Sequence, residues 1–139
     1  MVDGSGTNRF NLELPAPAPV QELQVCISGD LVNGGAAVSF DVVYYKQNCR
    51  AFAVRHNDVA HAYLNRCTHV PIEMDYQADR FFDMTGRWLI CATHGALYSP
   101  STGDCWGGPC RGKLVKIKLV ERDGWVHWHT GLGLQPLVL

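Results

Sequence analysis

The chain has 139 residues, 47% of them hydrophobic and 18% charged, which is enough for one domain with a real core. Twelve Lys and Arg against thirteen Asp and Glu give a formal charge of −1 with mixed signs throughout, so nothing marks nucleic acid or an anionic membrane as a partner. No stretch approaches the about eighteen apolar residues of a membrane span, and the start, Met1-Val2-Asp3-Gly4-Ser5-Gly6-Thr7, lacks the basic-then-apolar order of an export signal; no membrane is expected, and a cytoplasmic location is the default.

Residues 1–20 are polar and then Pro-rich, with Pro15-Ala16-Pro17-Ala18-Pro19, and are expected to form a flexible extended segment ahead of a single domain over 21–139. Strand-like runs follow at 23–28, 37–45, 50–56 and 59–65, separated by turn signals at Asn33-Gly34-Gly35, Gln47-Asn48 and Asn57-Asp58. Another run covers 88–91. Residues 114–121 alternate only imperfectly, and Asp123-Gly124 makes a hairpin to 125–128. The apolar end, 131–139, is short and interrupted by Pro136, so it is expected to pack on the domain or, through Leu132, Leu134, Leu137, Val138 and Leu139, on a second copy as a homo-oligomer. With no long amphipathic helix and no internal repeat, the fold class is antiparallel all-β.

Chemistry concentrates in two short segments of this frame. Cys67-Thr68-His69 and Cys91-Ala92-Thr93-His94 each supply one soft sulfur and one imidazole, and Gly95 follows the second histidine. A third segment, Gly107-Gly108-Pro109, comes soon after. Ligands one or two residues apart on tight turns reach the same small metal group. A structural zinc also takes two cysteines and two histidines, but zinc fingers pair cysteine with cysteine and histidine with histidine along the chain, and the His-Gly and Gly-Gly-Pro elements have no zinc rationale.

The order C-x-H, C-x-x-H-G, then a Gly/Pro loop resembles the Rieske family, over about residues 67–112. The resemblance implies a Rieske-type fold, in which an antiparallel β base carries an inserted cluster-binding lobe at about 66–112. It implies a [2Fe–2S] cluster with Cys67 and Cys91 on the inner iron and His69 and His94 on the outer one, covered by Gly107, Gly108 and Pro109. Two neutral imidazoles in place of two thiolates raise the potential above that of a four-cysteine cluster. Tyr98 stands four residues past His94, where high-potential relatives place a tyrosine that donates to a ligand sulfur; a core aromatic is the plainer reading. Pro71 and Thr93 occupy the neighbourhoods of those relatives' extra cysteines, and Ala96 stands in place of their serine donor. The expected potential is therefore in the lower part of the class range of about −150 to +300 mV.

The twenty-one residues between His69 and Cys91 exceed the spacing of ferredoxin-like members, with the excess around 75–85. An ordinary insertion is the plain expectation; a docking surface using Phe81 and Phe82 is the sharper one. Cys26 alternates with apolar neighbours and reads as a buried hydrophobe, whereas Cys49 follows a turn-like run and is expected to be partly exposed. Cys105 and Cys110 flank the Gly/Pro turn closely enough for a disulfide, yet with nothing marking an oxidising compartment, free thiols are expected. His56 and His61 are spaced H-x4-H, like the mononuclear iron site of Rieske oxygenases, but straddle a turn ahead of the cluster motif, so that likeness is accidental. His127 and His129 line one face of a terminal strand.

Three classes of function follow. The first is a one-electron carrier between a reductase and an oxygenase or other terminal oxidoreductase, without substrate chemistry of its own. The second is a permanent redox subunit of a larger oxidoreductase, and the third a non-redox zinc-binding module.

Overall fold

The structure, a computed structural model, describes residues 19–75, 77–131 and 133–138. The Pro-rich entry and the side chains of Tyr76, Leu132 and Leu139 lie outside the described residues. Eleven strands form three antiparallel sheets among them. The strands are β1 (Glu22–Ile27), β2 (Val38–Tyr44), β3 (Gln47–His56), β4 (Val59–Leu64), β5 (Leu89–Ile90), β6 (Leu97–Tyr98), β7 (Cys105–Gly107), β8 (Lys116–Ile117), β9 (Leu119–Arg122), β10 (Trp125–His129) and β11 (Leu134–Pro136). Their order is β1-β10-β9 in one sheet, β11-β2-β3-β4-β8 in the central one and β5-β6-β7 in the third.

The central sheet is covered on both faces, and β3 shows why. Ala51 through Val54 are all fully buried, a continuous apolar run of the kind that belongs to a strand with no solvent face. Alternate side chains point opposite ways. Ala51 and Ala53 join Val126 and Trp128 of the first sheet, while Phe52 and Val54 join Tyr63 of β4 and Phe81, Leu89 and Tyr98 of the lobe. Two hydrophobic cores are thus set back to back across one sheet, and the lobe rests directly on the second.

Three hairpins close with two-residue turns in which both central residues have positive φ: Tyr45 and Lys46 (44° and 68°), Asn57 and Asp58 (49° and 68°), Asp123 and Gly124 (54° and 80°). This twist matches that of the flanking strands. Asn57-Asp58 and Asp123-Gly124 were legible as turns. The first turn falls two residues earlier than Gln47-Asn48, because Tyr44 pairs with Gln47 and Val43 with Asn48. Tyr45 tolerates the strained position by docking on the tail: its amide donates to the Gly133 carbonyl at 2.9 Å, and its ring leaves no room for a Cβ at Gly133.

The run at 114–121 is two strands, not one. β8 pairs with β4 in the central sheet, and β9 pairs with β10 in the first. Changing sheets between Ile117 and Leu119 accounts for the broken alternation. The apolar tail packs on its own domain: β11 adds to the edge of β2 with Leu134 buried, and Pro136, which lacks an amide hydrogen, is confined to that edge strand. Val138 is 82% exposed.

Candidate metal centre

Three loops of the lobe meet at the candidate site, each held by hydrogen bonds that its sequence supplies. The first leaves β4 at Asn65, a buried side chain whose Oδ1 accepts the Met74 amide at 2.7 Å and whose Nδ2 donates to Asp75 at 2.8 Å. Those bonds clamp the base of the loop, and the Cys67 amide donates across it to the Ile72 carbonyl at 2.9 Å. The second loop closes through the Cys91 amide to the Ala96 carbonyl at 2.8 Å and the Gly95 amide to the Cys91 carbonyl at 2.9 Å. A bond from the Ala92 amide to the Met74 carbonyl joins the first two loops. The third lies flat on the second: Gly108 has φ 77°, and a Cβ there would stand 2.9 Å from the Gly95 carbonyl oxygen and 3.0 Å from the Ala96 Cα, so only glycine allows the approach.

The four sequence-predicted donors come together as two like pairs. Cys67 and Cys91 are buried, 3% and 0% exposed, in one core cluster, and each shifts the other's thiol. The rings of His69 and His94 stand edge to face with centroids 4.9 Å apart, nearer the surface. Among the described residues, no three Cys, His, Asp or Glu side chains converge on one point that a single ion would occupy. His69 Nδ1 is buried and has no hydrogen-bond partner. A buried ring nitrogen without a partner is costly, and a metal ligated there satisfies it.

Electrostatics separates the two sulfurs. Burial pushes the Cys67 thiol up, but hydrogen bonds from the Tyr98 hydroxyl, the His69 amide, the Cys91 thiol and the Val70 amide outweigh it, and the net shift is downward. Cys91 goes up, chiefly through burial, against an opposing bond from the Thr93 amide. Tyr98 is fully buried, and its hydroxyl lies 3.5 Å from Cys67 Sγ, so one residue is both a core aromatic and the hydroxyl at the sulfur. Burial, then the bond to Cys67, raises its own pKa.

Thr68 was not singled out from the sequence. Its amide donates to the Tyr98 oxygen at 3.0 Å, its Oγ1 is 2.7 Å from that oxygen, and the same Oγ1 accepts the Arg111 amide at 3.0 Å. A hydroxyl between two candidate ligands in Cys-Thr-His was the available signal. Gly107 ends β7, and Pro109 is exposed beside Gly108.

Two expectations are corrected here. Phe81 is not part of a docking surface: it is fully buried and stacks on Phe52 at 3.7 Å, because the inserted segment folds back over the central sheet to cap its core. Phe82 is half-buried, stacked near His56 at 6.3 Å. Cys105 and Cys110 are joined as a disulfide, with Cα atoms 5.8 Å apart, where free thiols were expected; the Gly-Gly-Pro turn between them brings the ends of the loop together. Cys26 is buried and Cys49 partly exposed, as their surroundings suggested. His56 and His61 lie at different rungs of the β3–β4 hairpin, opposite Val59 and Val54.

The family model for the Rieske [2Fe–2S] domain matches residues 21–119. The chain belongs to that family; its cofactor is a Rieske-type [2Fe–2S] cluster, and its chemistry is electron transfer. No curated protein matches the chain. Among solved structures, it is similar to the Sphingomonas yanoikuyae B1 ferredoxin, with TM-score 0.62 and 20% identity over 80% of this chain and 100% of that one. It is similar also to the ferredoxin of carbazole 1,9a-dioxygenase from Nocardioides aromaticivorans IC177 (TM-score 0.61, 18% identity, 77% of this chain and 95% of that one). A third is in a complex of reduced oxygenase and oxidised ferredoxin in carbazole 1,9a-dioxygenase, with TM-score 0.61 and 22% identity over 84% of this chain and 97% of that one.

Proposed function

We propose that this chain is a one-electron carrier, a single domain over 21–139 working in the cytoplasm, that takes an electron from a reductase and delivers it to an oxygenase or another terminal oxidoreductase. Cys67 and Cys91 hold one iron, and His69 and His94 the other. The observation that supports this most directly is the pairing of sulfur with sulfur and imidazole with imidazole, with His69 Nδ1 buried and unpartnered. Bound by two thiolates and two imidazoles, the cluster supplies reversible one-electron chemistry at a higher potential than a four-cysteine centre.

The chain's own residues divide the work. Cys67 and Cys91, inside the lobe, keep water from the sulfur side, and Tyr98 with Thr68 supplies the hydrogen bond that favours added negative charge on Cys67. His69 and His94 form the outer edge, so a partner approaches on the imidazole side. Delivery to an oxygenase is supported by the likeness to ferredoxins of such systems. The permanent-subunit reading draws on the apolar tail and the insertion; in that tail Leu134 packs against the chain's own β2, while Val138 is left exposed.

Anaerobic purification from iron-replete cells tests the proposal. The expected protein is coloured, carries two irons, and gives a rhombic EPR signal after dithionite that His69→Cys or His94→Cys alters and Cys67→Ser abolishes. A colourless protein with stoichiometric zinc overturns it.

A further inference from the structure

Two surface grooves meet on the side of the lobe that carries His69. One, of about 320 Å³, passes over the first loop between Arg66, His69 and Lys113. The other, of about 430 Å³, continues from it through Tyr44 and Val115, which line both, and reaches Lys118. No carboxylate lines either groove, although acids outnumber Lys and Arg thirteen to twelve in the chain as a whole. Some of the positive charge is already engaged: Lys113 Nζ lies 3.7 Å from Asp104, and Lys116 Nζ donates to the Ser101 carbonyl at 2.6 Å. Arg66 and Lys118 make no ion pair with a described residue. Arg111 adds a third cation at the same loop, exposed and with its amide on Thr68 Oγ1.

We propose that this groove is the docking surface for a redox partner that presents an acidic segment, with carboxylates against Arg66 and Lys118 and its electron-transfer centre facing His69. The inference rests on the electron-carrier reading. Charge complementarity is its physical basis: a concave surface lined by one sign of charge focuses the field and raises encounter rates by about 10- to 1,000-fold, an effect that salt removes. The groove ends at a ligand loop, so whatever binds along it is placed beside the imidazole edge. Concavity favours an inserted protein segment over a flat lipid surface.

Stopped-flow reduction of the cluster-loaded protein by reduced plant-type ferredoxin, a strongly acidic electron donor, tests the proposal. The wild-type rate should fall severalfold as salt rises from low to physiological ionic strength. Arg66→Glu with Lys118→Glu should slow reduction roughly tenfold at low salt and invert the salt dependence, so that added salt speeds the reaction, with the EPR signal unchanged. Arg87→Glu, outside the groove, should leave rates as they are. Equal rates in wild type and double variant overturn the proposal. So does binding to phosphatidylglycerol vesicles that the double variant loses, which assigns the groove to lipid. A protein that accepts no electron from any donor defeats the carrier reading instead.

Discussion

Replacing Tyr98 with Phe removes a single oxygen and leaves the packed ring in place. A ligating Cys67 is a thiolate with no hydrogen of its own, so in this contact the Tyr98 hydroxyl donates. The phenol has one hydrogen, so it accepts from its other two partners, the Thr68 amide and Thr68 Oγ1, and that Oγ1 itself accepts the Arg111 amide. Both acceptor positions of the phenol are thus filled, and its hydrogen faces Cys67 Sγ at 3.5 Å. A hydrogen bond to a charged acceptor is worth about 1.5–3 kcal/mol and a neutral one about 0.5–1.5, so the bond strengthens by roughly 1 kcal/mol when the sulfur gains negative charge. For one electron, with about 59 mV per tenfold change, Tyr98→Phe should lower the potential by roughly 40 mV. Protein-film voltammetry at fixed pH measures it, beside an EPR spectrum showing the cluster intact. Stability should fall too, by about 1–3 kcal/mol, because the Thr68 amide loses its acceptor. An unchanged or raised potential in an intact variant refutes the bond's direction and leaves Tyr98 as packing alone.

Other expectations follow from the same geometry. Cys105 and Cys110 should resist alkylation until reduced, and Cys105→Ser with Cys110→Ser should cost about 2 kcal/mol in urea unfolding, the chain-entropy value for so short a loop; free thiols in freshly prepared protein would contradict the pairing. Gly108→Ala should cost about 1–3 kcal/mol and speed aerobic bleaching, since the new methyl pushes the third loop off Gly95; bleaching at the wild-type rate would argue that the loop does not cover the site. Phe81→Ala should cost about 3–5 kcal/mol by urea denaturation while the potential stays put. His61 is held down to about 4 from the usual 6.5, by burial first and then by Lys116 and His56. Its unfolded form therefore binds more protons, so its contribution is complete above pH 6.5 and declines as pH falls toward 4. Urea titrations should show wild type losing on the order of 1–2 kcal/mol more than His61→Asn between pH 7 and 5; equal losses would remove His61 from the pH response.

The donor set was legible because ligand chemistry demands particular residue types at short spacing, and the long strands because β2, β3 and β4 carry sustained apolar runs. What was not legible depended on contacts distant in sequence. β6 and β7 are too short to leave a pattern. The 114–121 run hides a change of sheet that only the pairing partners reveal. Phe81 among charged neighbours looked like surface until the fold stacked it on Phe52, twenty-nine positions earlier in the chain. Thr68 gains its role from Arg111, forty-three residues away.

The site faces two ways, and that separates its two properties. Cys67, Cys91 and Tyr98 are buried in the core shared with Phe52 and Leu89, so changes there act on the charge balance at sulfur and on stability. His69 and the groove beside it lie toward the surface, where Arg66 and Lys113 are reached by solvent and by partners. Burial makes the inner hydrogen bond insensitive to salt, while the outer charges are screened within about 10 Å at 0.1 M ionic strength. An inner substitution should thus shift potential with little change in salt dependence, and an outer one the reverse. If Arg66→Glu moved the potential as far as Tyr98→Phe, the two faces would be electrostatically continuous, and the division of labour drawn from burial would fail.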